Sequence, residues 1–135
     1  MTYLEWFEGH ARKHREIVER LLREGYDEDG IIDYFCWDNL SVAEPDFCPL
    51  FREGKKCHEM EKLNCYLCAC PNFRFDDDAP KVKSYCAIDS KDGRQAEFGG
   101  VVHQDCSGCR VPHFRSYVKQ HFDTDWRKIM KQCHE

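Results

Sequence analysis

The run Cys65-Tyr66-Leu67-Cys68-Ala69-Cys70-Pro71, answered further along by Cys106-Ser107-Gly108-Cys109, constrains this chain more than any other feature. Three thiols within six residues, followed by a second Cys-x2-Cys knuckle, give the spacing with which short loops surround a thiophilic ion or cluster. A chain built on such loops needs little regular structure in its middle, because coordination supplies part of the folding free energy there. The expectation is a small metal-stabilised fold.

Eight of the ten cysteines fall between Cys48 and Cys109: Cys48, Cys57, Cys65, Cys68, Cys70, Cys86, Cys106 and Cys109. Such density reflects either disulfides in an oxidising compartment or thiolate ligands in a reducing one. The opening residues lead directly into Arg12-Lys13-His14-Arg15-Glu16 and lack the apolar stretch and small-residue cleavage site of a secretory signal. No run is long and apolar enough to cross a bilayer. The expected location is the cytoplasm, where thiols stay reduced, and the close pair Cys68 and Cys70 is expected to aim both sulfurs at one centre.

At 135 residues the chain fits one compact unit, with 20 basic against 25 acidic side chains. That mild acidity disfavours a non-specific nucleic-acid binder. The fold class read from the pattern is α+β, in three parts. Residues 1–43 form an N-terminal helical hairpin, residues 44–122 a cysteine-rich metal-binding part of loops and short strands, and residues 123–135 a short helix and tail.

In the first part, Thr2 and Glu5 make a capping box, and Leu4, Phe7, Ala11, Val18 and Leu21 recur at helical spacing up to a stop at Gly25. A second helix is expected from Asp27 to about Val42, its aromatic side chains packing on the metal-binding part or contacting a partner. Phe73 to Phe75 and Lys81 to Ile88 read as strands, Asp76 to Asp78 as a solvated acidic loop, and Asp92-Gly93 as a hairpin turn. Val111 to Phe122 and the segment from Asp125 read as helices. Cys36 reads as a small buried hydrophobe, Cys133 as part of a frayed tail, and His10, His14, His103, His121 and His134 as surface residues.

The segments Cys57-His58, Asn64-Cys-Tyr-Leu-Cys-Ala-Cys-Pro71 and Asp105-Cys-Ser-Gly-Cys-Arg-Val-Pro-His113 resemble the cysteine-rich small domain. This is a zinc-finger-like family of metal binders associated with anaerobic and microaerophilic prokaryotes and with cobalamin biosynthesis. The likeness spans about residues 46 to 120 and leaves out the N-terminal hairpin. It implies ligand roles for Cys57, Cys65, Cys68, Cys70, Cys86, Cys106 and Cys109, with His58 and His113 as further candidates.

Two kinds of centre fit these residues. A tetrahedral zinc site takes two thiolates from each knuckle, Cys65 and Cys68 with Cys106 and Cys109. An iron-sulfur cluster, such as a 4Fe-4S cubane, is favoured by Cys48-Pro49 and Cys70-Pro71 and by the aromatic neighbours of those cysteines. Eight cysteines with His58 and His113 exceed what one zinc ion uses, so a second centre is open. No catalytic fingerprint is present. The leading functional expectation is a non-enzymatic metal-binding module that recognises another protein or, less favoured, a nucleic acid, away from membranes. The competing expectation is an iron-sulfur redox protein, a sensor, or an enzyme of sulfur or corrinoid chemistry.

Overall fold

The computed structural model describes residues 1–134. Helix α1, Tyr3–Arg23, begins where Thr2 Oγ1 accepts the Glu5 amide and the Glu5 carboxylate accepts the Thr2 amide, both at 3.1 Å. It ends in a Schellman motif. Tyr26 N donates to Leu21 O at 3.0 Å, Gly25 N to Leu22 O at 3.1 Å, and Gly25 takes φ +89°, where a side chain would be strained. The buried stripe is Phe7, His10, Ala11, His14, Ile17, Val18 and Leu21.

His10 and His14 are therefore core residues, contrary to the surface expectation. His14 lies between the rings of Phe35 and Tyr66, with centroids 4.9 and 4.4 Å away. His10 packs on Phe47 and Trp126 at 4.8 and 5.1 Å. Of the others, His103 is half-buried, while His121 and His134 are exposed.

The expected second helix is two, α2 (Glu28–Tyr34) and α3 (Trp37–Ala43). The break at Cys36 has a tertiary cause. Cys36 pairs with Asn64 in an antiparallel bridge, Cys65 N donating to Phe35 O at 2.9 Å and Trp37 N to Leu63 O at 2.8 Å. Backbone groups that would have continued the helix thus hold the first knuckle against the hairpin. Of the aromatics of this segment, Phe35 is fully buried, and Tyr34 and Trp37 are half-buried against the core.

Two small antiparallel sheets occupy the middle. Strands β1 (Phe73–Phe75) and β2 (Ser84–Cys86) pair with Phe73 opposite Cys86. Strands β3 (Arg94–Phe98) and β4 (Val101–Asp105) form a hairpin. Its turn is Gly99-Gly100, at φ +57° and +84°, rather than Asp92-Gly93. A tight hairpin turn of the type matching strand twist needs positive φ at both central residues, which this glycine pair supplies. The acidic loop is not simply solvated, because Asp77 accepts the amides of Tyr3 and Leu4 at 2.9 and 3.0 Å and so caps α1.

Val111–His113 is a 3-10 turn, separated from helix α4 (Arg115–His121) by extended Phe114. Helix α5 (Trp126–Ile129) packs on α1 through Trp126 and Phe7, with centroids 4.9 Å apart. The end of the chain is not frayed at Cys133: that residue is only 2% exposed, in a 3-10 turn packed against β1, with its thiol 3.6 Å from Cys70 O. Three of the six basic side chains from Arg110 onward are paired. Arg115 meets Asp29 and Asp33, Lys119 meets Glu28 and Asp29, and Arg127 meets Glu8. Among the described residues no helix is long and apolar enough to cross a membrane.

Candidate metal centre

Asn64, in the bridge to Cys36, fixes the geometry of the site. Its side chain donates to Ile32 O at 2.8 Å and accepts the Tyr66 amide at 2.9 Å, so this buried polar group is satisfied at both ends. Its backbone then holds His113: Asn64 N donates to His113 O at 3.0 Å, and Asn64 O accepts from His113 Nδ1 at 2.8 Å. A carbonyl only accepts, so His113 Nδ1 carries the proton and Nε2 presents a lone pair. That nitrogen lies 3.8 Å from Cys57 Sγ.

His58 obeys the same logic with its nitrogens exchanged. Nε2 lies 3.0 Å from Cys106 O and must donate to it, which leaves the Nδ1 lone pair facing Cys57 Sγ at 3.0 Å. The two imidazole rings are 4.6 Å apart. Thus Cys57, His58 and His113 place three donor atoms within 4.8 Å of one another and form a group able to hold a metal ion. A tetrahedral ion with bonds of about 2.0 to 2.3 Å sets its ligands roughly 3.3 to 3.8 Å apart, so little closure is needed. Each histidine also has its outer nitrogen tied to a backbone carbonyl, the arrangement that orients imidazole ligands on metals.

Electrostatics favour a cation here. Burial, then the proximity of His58, pushes the pKa of His113 down, overcoming its bond to Asn64 and keeping the ring neutral and ready to ligate. The Cys57 thiol is pushed up by burial and next by Cys48. Cys68 is pushed up to about 12, by burial first and then by Cys48 and Cys57. Cys65 is pushed up as well, by burial and then by Cys68, Cys57, Cys48 and Cys36. Thiolates so placed repel one another, and a bound cation reverses the balance by displacing their protons. All ten cysteines are free thiols.

The pKa shifts link the thiols in overlapping groups: Cys68, Cys57 and Cys48 act on Cys65, while Cys70, Cys109 and Cys86 act on Cys106, which burial first and then these thiols push up to about 11. Cys70 stands in both groups, raising Cys68 as well as Cys106. Ala69 and Cys70 take φ +91° and +61°, left-handed values that cost non-glycine residues about 1 to 3 kcal/mol each. Amides cover the turn's sulfurs: Asn72 N donates to Cys70 Sγ at 3.4 Å.

Both sets border one cleft of about 670 Å³, whose lining includes Cys57, Cys68, Cys70, Cys86, Cys106, Cys109, His58 and His113. Tyr3, Trp6, Phe73 and Pro112 give it apolar walls. Tyr3 is anchored there by its hydroxyl, 2.5 Å from His103 Nδ1 and 3.1 Å from Ser84 Oγ. Cys65 lies buried, and Cys48 stands half-buried at the start of the 3-10 turn Pro49–Glu53. Sequence reasoning missed Asn64 as a positioning residue; its place directly before Cys65 was the one available signal. Comparison with protein-family models, curated proteins and solved structures gives no match to this chain.

Proposed function

We propose that the protein is a small metal-binding module whose coordinated ion organises the cysteine-rich middle for interaction with another protein. The observation that carries this reading is the convergence of two imidazole lone pairs on Cys57 Sγ, with both tautomers set by backbone carbonyls. Mixed nitrogen and sulfur donors suit zinc, which requires no redox chemistry, and Cys68, Cys65 and Cys48 are the nearby thiols available to complete four-coordination. The resemblance to the cysteine-rich small domain agrees with metal binding and supplies no reaction. Exposed Trp6 and Ile88, both on the lining of the cleft, are the apolar contacts offered to a protein partner. Nucleic acid is disfavoured by the net charge of -5 and by the pairing of Arg115, Lys119 and Arg127 with acidic side chains.

The test is anaerobic purification followed by metal analysis of the wild type, Cys57→Ser and His113→Ala. Each variant should lose metal, and chelation should expose residues 46–110 to proteolysis and hydrogen exchange before α1 opens. A tight structural site contributes on the order of 10 kcal/mol to folding, so the chelated middle should not stay closed. A folded, protease-resistant wild type without metal would refute the reading. A brown protein with iron and labile sulfide would turn it towards redox function.

A further inference from the structure

We propose that the cleft beside the metal centre binds an uncharged aromatic small molecule bearing one hydrogen-bond acceptor, packed on the rings of Tyr3, Trp6 and Phe73 and accepting from His103 Nε2. The inference goes beyond the metal-binding reading and uses none of the Cys57/His58/His113 donors.

Charge sets the ligand class first. Asp, Glu, Lys and Arg make up 33% of the chain, yet none of them lines this cleft. A charged ligand would shed its hydration there and meet no carboxylate, ammonium or guanidinium to replace it, a cost that an uncharged one escapes. The volume of about 670 Å³ lies within the roughly 300 to 1,000 Å³ of sites for small organic molecules.

The aromatic walls are held in place by the fold itself. Asp77 fixes the start of α1 by accepting the amides of Tyr3 and Leu4, and the Tyr3 ring packs on Phe73 and Phe75 with centroids 5.9 and 5.6 Å away. Trp6, one turn further along α1, stacks on His10 at 4.8 Å and is still 41% exposed. Ile88, after β2, adds an exposed aliphatic contact on the same lining. Fixed aromatic faces favour a flat ring and lose little freedom on binding it.

The polar anchor follows from counting protons. Ser84 is fully buried and its Oγ accepts the Gln104 amide at 2.7 Å, so among the described residues Tyr3 Oη, at 3.1 Å, is the acceptor left for its own proton. Tyr3 therefore donates to His103 Nδ1, 2.5 Å away. The ring proton of His103 is then on Nε2, which has no hydrogen-bond partner among the described residues. His103 lines the cleft, so this N–H serves a carbonyl oxygen or ring nitrogen of the ligand.

The experiment titrates the full chain, purified anaerobically and with its metal content measured, with naphthalene, acetylnaphthalene and naphthoate. The second compound adds a carbonyl acceptor to the common ring system and the third a negative charge. Acetylnaphthalene should bind about fivefold more tightly than naphthalene, the gain of one hydrogen bond, and naphthoate more weakly than either. His103→Phe should abolish the advantage of acetylnaphthalene while leaving the affinity for naphthalene unchanged. Trp6→Ala should weaken both neutral compounds about tenfold. Nuclear Overhauser contacts from acetylnaphthalene to the rings of Tyr3, Trp6 and Phe73 in the wild type locate the ligand without any variant.

Tighter binding of naphthoate, affinities unchanged in both variants, or Overhauser contacts to other parts of the chain would overturn the proposal. Acetylnaphthalene bound at these rings by a chain without metal would support this site and refute the metal-binding reading. A metal-loaded chain that binds none of the three compounds would overturn this site and leave that reading standing.

Discussion

His10 allows a sharp test of how this core is built. Its ring is 5% exposed, stacks on Trp6 at 4.8 Å, touches Phe47 and Trp126, and leaves Nε2 without a hydrogen-bond partner. Burial, with a smaller contribution from Lys13, pushes its pKa from 6.5 down to about 4. Because the folded pKa is depressed, the unfolded chain binds the extra proton first as pH falls through 6.5, and stability is lost from there down to about pH 4. One pKa unit corresponds to about 1.4 kcal/mol, so about 2 kcal/mol is lost between pH 8 and 5 and about 3 kcal/mol by pH 4.

The informative perturbation is His10→Phe, which keeps an aromatic ring among aromatic neighbours and removes the unpaired nitrogen. Its stability at pH 8 should equal or exceed the wild type's, since an unsatisfied buried polar atom costs about 1 to 3 kcal/mol. Urea unfolding of both proteins at pH 8, 6 and 5, in saturating metal, isolates the effect, because protonation of metal ligands is common to the two and cancels in the difference. The wild type should lose about 2 kcal/mol more than the variant between pH 8 and 5. Parallel pH profiles would show that His10 is not held neutral in the folded core.

Other outcomes follow from contacts at a distance in sequence. Asp77→Ala removes acceptors for the Tyr3 and Leu4 amides and should cost about 1 to 2 kcal/mol in chemical denaturation, with increased hydrogen exchange at the start of α1. Asn64→Ala should cost more, about 2 to 4 kcal/mol, and should weaken metal retention by releasing His113; unchanged metal affinity would deny Asn64 its positioning role. Cys133→Ala should lower stability by about 1 to 2 kcal/mol through lost packing while leaving the metal-to-protein ratio unchanged, and Cys36→Ala should likewise leave it unchanged.

Local signals in the sequence carried over well into the structure. Thr2, Glu5 and Gly25 bound α1 because caps and left-handed stops act within a few residues. The interruption at Cys36 is invisible locally, since its cause is the bridge to Asn64 from a different part of the chain. For His10 and His14 the signal was present and set aside: they complete the apolar stripe of α1, yet side-chain polarity argued for the surface. Gly99-Gly100 was likewise a stronger hairpin signal than Asp92-Gly93. Ligand spacing pointed to the cysteine-rich loops, but the left-handed backbone at Ala69 and Cys70 was not legible, because no glycine stands there to give warning.

The hydrogen bond from His58 to the carbonyl of Cys106 has a thermodynamic consequence. It joins the residue after Cys57 to the first residue of the last knuckle, so order imposed on either side is felt on the other. Coupling of this kind is reciprocal: whatever a metal at Cys57 and His58 adds to the order of the 106–109 turn, an ordered turn adds to the affinity for that metal.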